Sequence, residues 1–137
     1  MAKDLFHDNC KKALEADGWL ITHDPLRLKS GKVRVEIDLG AEKLIAAEKG
    51  EEKIAVEIKS FISPSPVNDF EDAYGQFMLY RRILQKSEPE RKLFLAVPAA
   101  VFNTFFQRPL IQEIVDEEGI SLMAFDPSTN IIIQWKK

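Results

Sequence analysis

Lys53-Ile54-Ala55-Val56-Glu57-Ile58-Lys59-Ser60-Phe61 is the stretch from which the fold is read. Its β-branched residues alternate with small or polar ones. That is the pattern of a strand, whose successive side chains point to opposite faces. Ile54, Val56 and Ile58 then share a core face. Ala55, Glu57 and Lys59 share the other, which sets the carboxylate and the ammonium about 7 Å apart along the strand. The strand runs on into Phe61-Ile62 and the stiff turn Ser63-Pro64-Ser65-Pro66, so its polar face leads towards something enclosed. On an ordinary surface strand a Glu-x-Lys pair is a solvated ion pair worth little. Its chemical alternative is a Mg²⁺ site, since that ion takes hard oxygen ligands and keeps several waters. A lysine beside it would steady an attacking water or the charge developing on a phosphate.

Upstream, residues 3–17 read as a helix. Leu5-Phe6, Cys10, Ala13 and Leu14 fall on one stripe, and Gly18 stops it. Glu15 and Asp17 read as its solvated face, Asp8 is left open between that and a functional role, and His7 reads as an exposed polar residue. Trp19–Thr22 is a short extended piece. His23-Asp24-Pro25 and Ser30-Gly31-Lys32 are turns. Val33, Val35, Ile37 and Leu39 alternate with Arg34, Glu36 and Asp38 as a strand that Gly40 ends. Glu42–Glu48 is the next strand, and Lys49-Gly50-Glu51-Glu52 a hairpin loop. Residues 32–61 therefore read as a three-stranded antiparallel meander. Its first bend folds back towards the later half of the last strand, which brings Asp38 or Glu42 near Glu57.

Downstream, Asn68 with Glu71 three residues later reads as a capping box opening a helix to about Gln85. Gly75 in mid-helix reads as a place of close backbone approach. Lys92–Val97 is almost continuously apolar, as a buried parallel central strand is. Phe102, Phe105 and Phe106 read as core aromatics rather than a base-stacking platform. Pro109 opens a helix that Gly119 caps, and two strands, 120–125 and 131–135, close the chain. The order of elements makes an α/β domain with a mixed central sheet.

The 137 residues, 45% of them apolar, suffice for one compact domain spanning 1–137. No apolar run approaches the ~20 residues that cross a membrane, and no signal-peptide pattern opens the chain, so a cytoplasmic location is expected. A single cysteine, Cys10, excludes an internal disulfide framework and a cysteine-based zinc site. Two histidines, His7 and His23, make a histidine metal site a poor expectation. A net charge of −3 speaks against coating nucleic acid by bulk electrostatics, though a carboxylate-rich nuclease stays compatible with it.

With Glu57-x-Lys59 on the third strand, this order resembles the restriction-endonuclease-like PD-(D/E)xK nucleases. The whole chain more closely resembles the XisH family, the cyanobacterial fdxN element excision controlling factors. The strings that carry this are MAKDLFHD (1–8), DGW (17–19), DLGAEKLIAAEKG (38–50), KIAVEIKSF (53–61), GQF (75–77), FLAVP (94–98) and DP (126–127).

The XisH resemblance implies a controlling role in programmed DNA rearrangement during heterocyst differentiation, with a separate recombinase cutting and joining. It implies DNA as partner. A site-specific recombinase or another excision controlling protein is a further one, and a homo-oligomer is left open. The nuclease resemblance implies a restriction-endonuclease-like mixed central β-sheet flanked by helices, and Mg²⁺ or Mn²⁺ as cofactor. Carried over residue by residue, Glu57 is the acidic metal ligand and Lys59 the catalytic lysine. The upstream acid, a second metal ligand, is Asp38, or Glu42 if the bend is read differently. Asp8 matches an acid of the first helix, and Gln76 and Tyr80 match a glutamine and tyrosine of the next. The chain departs from the pattern at one point: Ile37, not proline, precedes Asp38. No helix-turn-helix, zinc finger or basic arm is visible in the sequence. Two readings follow: a metal-dependent DNA endonuclease, or a non-catalytic regulatory partner of a recombinase on a nuclease-derived scaffold.

Overall fold

The structure, a computed structural model, describes residues 4–46 and 50–137. Its centre is a six-stranded mixed sheet. The strands are β1 (Leu20–His23), β4 (Leu39–Ala46), β5 (Gly50–Ile58), β6 (Arg91–Pro98), β7 (Leu122–Asp126) and β8 (Ile131–Lys136), in the spatial order β1-β4-β5-β6-β7-β8. β5, β6 and β7 run parallel; β1, β4 and β8 pair antiparallel with their neighbours. Two further strands, β2 (Leu26–Ser30) and β3 (Val33–Ile37), form a separate hairpin.

That hairpin corrects the expected meander. The strand expected over 33–39 breaks at Asp38. Its first part turns back on residues 26–30 through Ser30-Gly31-Lys32, where Gly31 takes a φ of +58°. Its second part enters the main sheet. Gly40 lies inside β4 instead of ending a strand, because the His23 side chain of β1 lies over it. A Cβ at Gly40 would come within 2.9 Å of His23 Nδ1. Gly50, Glu51 and Glu52, expected in a loop, belong to β5. Residues 47–49, where the expected second strand and hairpin loop meet, lie outside the described residues.

Each face of the sheet is covered. Ile54, Val56 and Ile58 of β5 point to the side of α1 (His7–Ala16), where Cys10 and Leu14 are fully buried. Ala55 points to the side of α2 (Pro66–Ser87), where Phe70, Phe77 and Tyr80 pack. The inner face of the hairpin, Leu26, Leu28 and Ile37, joins that second core. So do Phe102, Phe105 and Phe106 around α3 (Ala99–Phe102), and Ile111 and Val115 of α4 (Pro109–Glu118).

Ser65, not Asn68, caps α2: its hydroxyl accepts from the Asn68 amide at 3.2 Å, and Pro66 occupies the first turn. No neighbour lies within 4 Å of a Cβ built at Gly75, so close approach does not explain that glycine. Gly119 closes α4 in the left-handed region, as its position predicts. Among the described residues no helix is long and apolar enough to cross a membrane.

Candidate functional site

Asp38 is the hinge between the hairpin and the main sheet, and this places it. Its carboxylate accepts from the Ile58 amide at 2.7 Å, and its own amide donates to Glu57 Oε1 at 3.3 Å. Glu57 lies near the end of β5 and is 5% exposed. The two carboxyl groups lie within hydrogen-bonding reach of each other. Lys59, just past the strand, sets its ammonium 3.7 Å from Glu57 Oε2. Its backbone amide donates to the Ala96 carbonyl of β6, which extends the parallel ladder and fixes the main chain at Lys59.

These three residues border a cleft of about 420 Å³. Gln76 and Tyr80 reach it from α2, one helical turn apart, as does His7 from α1. The sequence-derived set thus divides. Asp38, Glu57, Lys59, Gln76 and Tyr80 come together at one cleft. Glu42 and Asp8 do not line it. Glu42 is paired across the sheet with Lys53 and lies 3.7 Å from both Lys53 Nζ and Arg91 Nη2, midway along β4 and four residues on from the hinge. Asp8 is exposed on the first turn of α1.

Three acids and a histidine of the cleft were missed, as was Arg27. Asp4, ahead of α1, accepts from the Phe6 amide through one carboxylate oxygen at 2.9 Å and from the Ser60 amide through the other at 3.0 Å. It thereby ties the start of α1 to the end of β5. His7 is buried at 4% exposure, not exposed as expected. Its Nε2 lies 2.7 Å from Asp24 Oδ1, and Lys11 donates to Asp24 Oδ2 at 2.9 Å. The signal for His7 was available: positions 7, 10 and 14 follow the buried stripe of the helix. Asp24 and Glu36 come from the hairpin and the loop before it; neither carries a local signature.

Charge is the site's dominant property. Burial, and then the neighbouring Asp38 charge, push the Glu57 carboxyl up to about 8 against the opposing pull of Lys59. Burial also raises Asp38, although the Ile58 amide and its bond with Glu57 counter this. Tyr80 is raised by burial first and by these two acids second. Burial disfavours ionisation of Asp24 too, but the hydrogen bonds from Lys11 and His7 outweigh it and hold that carboxyl low.

Two apposed carboxyls in a low-dielectric cleft need a proton or a cation between them. Asp38 and Glu57 are the residues that could hold a cation. Gln76 adds a buried side-chain oxygen, Oε1, without a hydrogen-bond partner. This is an oxygen-only donor set of low count, which fits an ion that keeps part of its water shell, as Mg²⁺ does. Among the described residues no three His, Cys, Asp or Glu side chains converge as a closed ligand set.

The XisH protein family profile matches residues 1–133. The chain belongs to the XisH family. Two solved structures resemble this XisH chain closely. One is an XisH family protein from Nostoc punctiforme PCC 73102, the other an fdxN element excision controlling factor protein from Anabaena variabilis. Each is 41% identical, with a TM-score of 0.89, over 98% of this chain and all of the other. No curated protein matches the chain. The XisH match spans α1, the hairpin and the whole of β5, so every element that builds the cleft lies within the family's common region.

Proposed function

We propose that this XisH chain acts on DNA as an excision controlling factor, through a metal-dependent, endonuclease-like site on a restriction-endonuclease-like core. The observation that carries this reading is the convergence of Asp38, Glu57 and Lys59 on one cleft, with two carboxyls close enough to share a proton. The relative from Anabaena variabilis, named an fdxN element excision controlling factor, supports the role in excision.

The chemistry follows from the residues. Mg²⁺ or Mn²⁺, when bound, supplies Lewis acidity at a phosphodiester oxygen and a water of lowered pKa. Asp38 and Glu57 would hold the ion, Glu57 in its ionised form. Lys59, aimed past Glu57 into the cleft, stabilises negative charge developing on the phosphate. Gln76 Oε1 orients a water by accepting its hydrogen bond. Tyr80, buried behind the two acids, walls the cleft and keeps the local dielectric low.

Incubation of duplex DNA with Mg²⁺ or Mn²⁺ tests this. Wild type should nick or cut, and Lys59→Ala should lose about 10²–10³ of the rate with its fold intact. Equal nicking by both proteins would remove the reading.

One observation favours a second reading, a non-catalytic partner of a site-specific recombinase. Protonated Glu57 bonded to Asp38 satisfies the pair without a cation. On that reading recovery of a recombinase by the wild-type chain is independent of Lys59.

A further inference from the structure

The β2–β3 hairpin carries a charge pattern that the acidic composition hides. Register pairs Arg27 with Glu36 and Lys29 with Arg34. Directly opposed residues of an antiparallel pair point to the same side. The outer face of the hairpin therefore presents Arg27, Lys29 and Arg34, with Lys32 at the turn and Glu36 as its single acid. The inner face is apolar and packs on α2.

Arg27 and Glu36 neutralise each other at 2.9 Å, and both border the acidic cleft. Beyond them Lys29, Lys32 and Arg34 are exposed, and none has an ion-pair partner among the described residues. Lys29 and Arg34 sit cross-strand as like charges. That arrangement is unfavourable for the hairpin on its own, so an external anion would relieve it.

We infer that the outer face of this hairpin is the surface that grips the phosphate backbone of duplex DNA and feeds it into the cleft. The inference rests on the DNA-directed reading above and names the surface it uses. A two-stranded ribbon fits the width of a B-DNA major groove. Successive same-face residues lie about 7 Å apart, close to the axial rise of two phosphates on one strand. The hairpin also begins where the cleft ends, since Asp38 joins β3 to the main sheet. The Lys29–Arg34 pair stands four residues along β3 from Asp38, about 13 Å, so a strand gripped on the ribbon reaches the carboxylate pair about four phosphates further on.

Binding of a 30-base-pair duplex, measured by fluorescence anisotropy in EDTA over a range of salt, tests this without any cleavage. The ribbon variant is Lys29→Gln/Lys32→Gln/Arg34→Gln. The control, Lys12→Gln/Lys86→Gln/Lys92→Gln, makes the same charge change at exposed residues on other elements. Circular dichroism and melting temperature confirm that both fold. The ribbon variant should bind at least ~10-fold more weakly, and its slope of log K against log[salt] should be shallower by about 2–3, near one unit per lost phosphate contact. The control should stay close to wild type.

Equal affinity and slope in the ribbon variant and wild type would overturn the inference. So would an equal loss in the control, which would mean bulk charge alone, or equally tight binding of poly-glutamate, which would mean a cation surface for acidic protein. Weakened binding by the ribbon variant together with absent cleavage by wild type would sustain the ribbon and remove the nuclease reading. Unchanged binding together with cleavage lost in Lys59→Ala would do the reverse.

Discussion

Asp38 and Glu57 fix one another through the backbone. The Asp38 amide donates to Glu57 Oε1, and the Asp38 carboxylate accepts from the amide of Ile58, the residue after Glu57. Each acid is therefore held by the other's strand segment. Neither carboxyl can swing away without breaking a hydrogen bond, so their close approach is a property of the fold.

This arrangement makes stability depend on pH in an unusual direction. The Glu57 carboxyl stands near 8 in the folded protein against an ordinary value of 4.5, and Asp38 is also raised. The folded state thus holds more protons than the unfolded chain between those values, and unfolding free energy falls as pH rises through that window. In metal-free buffer, urea unfolding should show wild type losing on the order of a few kcal/mol from pH 5 to pH 8. Glu57→Gln should flatten that loss and be the more stable protein at pH 8. A wild-type curve as flat as the variant's would mean that the acids are not coupled.

Glu42 and Arg91 form a structural cluster remote from the cleft. The Arg91 guanidinium is 2% exposed and donates to the Ile54 carbonyl at 2.9 Å and to Glu88 at 3.0 Å, with Glu42 at 3.7 Å. Arg91→Met should cost about 2–4 kcal/mol, because buried acceptors lose their donor. Glu42→Gln should cost under about 1 kcal/mol and leave any response to Mn²⁺ unchanged. Loss of that response in Glu42→Gln would reassign the upstream acid to Glu42.

His7 joins α1 to the loop before the hairpin. His7→Ala removes a buried ring and leaves Asp24 with Lys11 alone, which should cost about 2–3 kcal/mol in chemical denaturation. Asp24 is held low by these partners, so its stabilisation is present above its ordinary value and fades as pH falls through its folded one. The cost of His7→Ala should therefore shrink as pH falls below the ordinary Asp24 value of 3.8. A cost independent of pH down to that range would assign the whole effect to lost packing.

Local pattern made much of this molecule legible. The alternation in β5, the apolar run of β6, the glycine after α4 and the aromatic core around Phe102, Phe105 and Phe106 are local signals, and the structure follows them. The pairing partner of residues 33–37 was not legible. Residues 26–30 and 42–46 both offer a strand-forming face, and the Ser30-Gly31-Lys32 turn favours the nearer one. That choice moved Asp38 from within a strand to a hinge, and it put Lys29 opposite Arg34. Asp4 and Asp24 escaped because their roles come from contacts 56 and 17 residues distant in sequence.

The most direct test of the central claim, that Asp38 and Glu57 form a cation site, is the melting temperature of wild type, Asp38→Asn and Glu57→Gln with and without millimolar Mn²⁺, at pH 6 and pH 8. An ion that binds only the folded state stabilises it by about 2.7 kcal/mol at a hundredfold excess over its dissociation constant, and it must displace the Glu57 proton to do so. The account predicts a rise of several degrees in wild type alone, larger at pH 8 than at pH 6. An equal rise in all three proteins, or none in wild type at either pH, would contradict it.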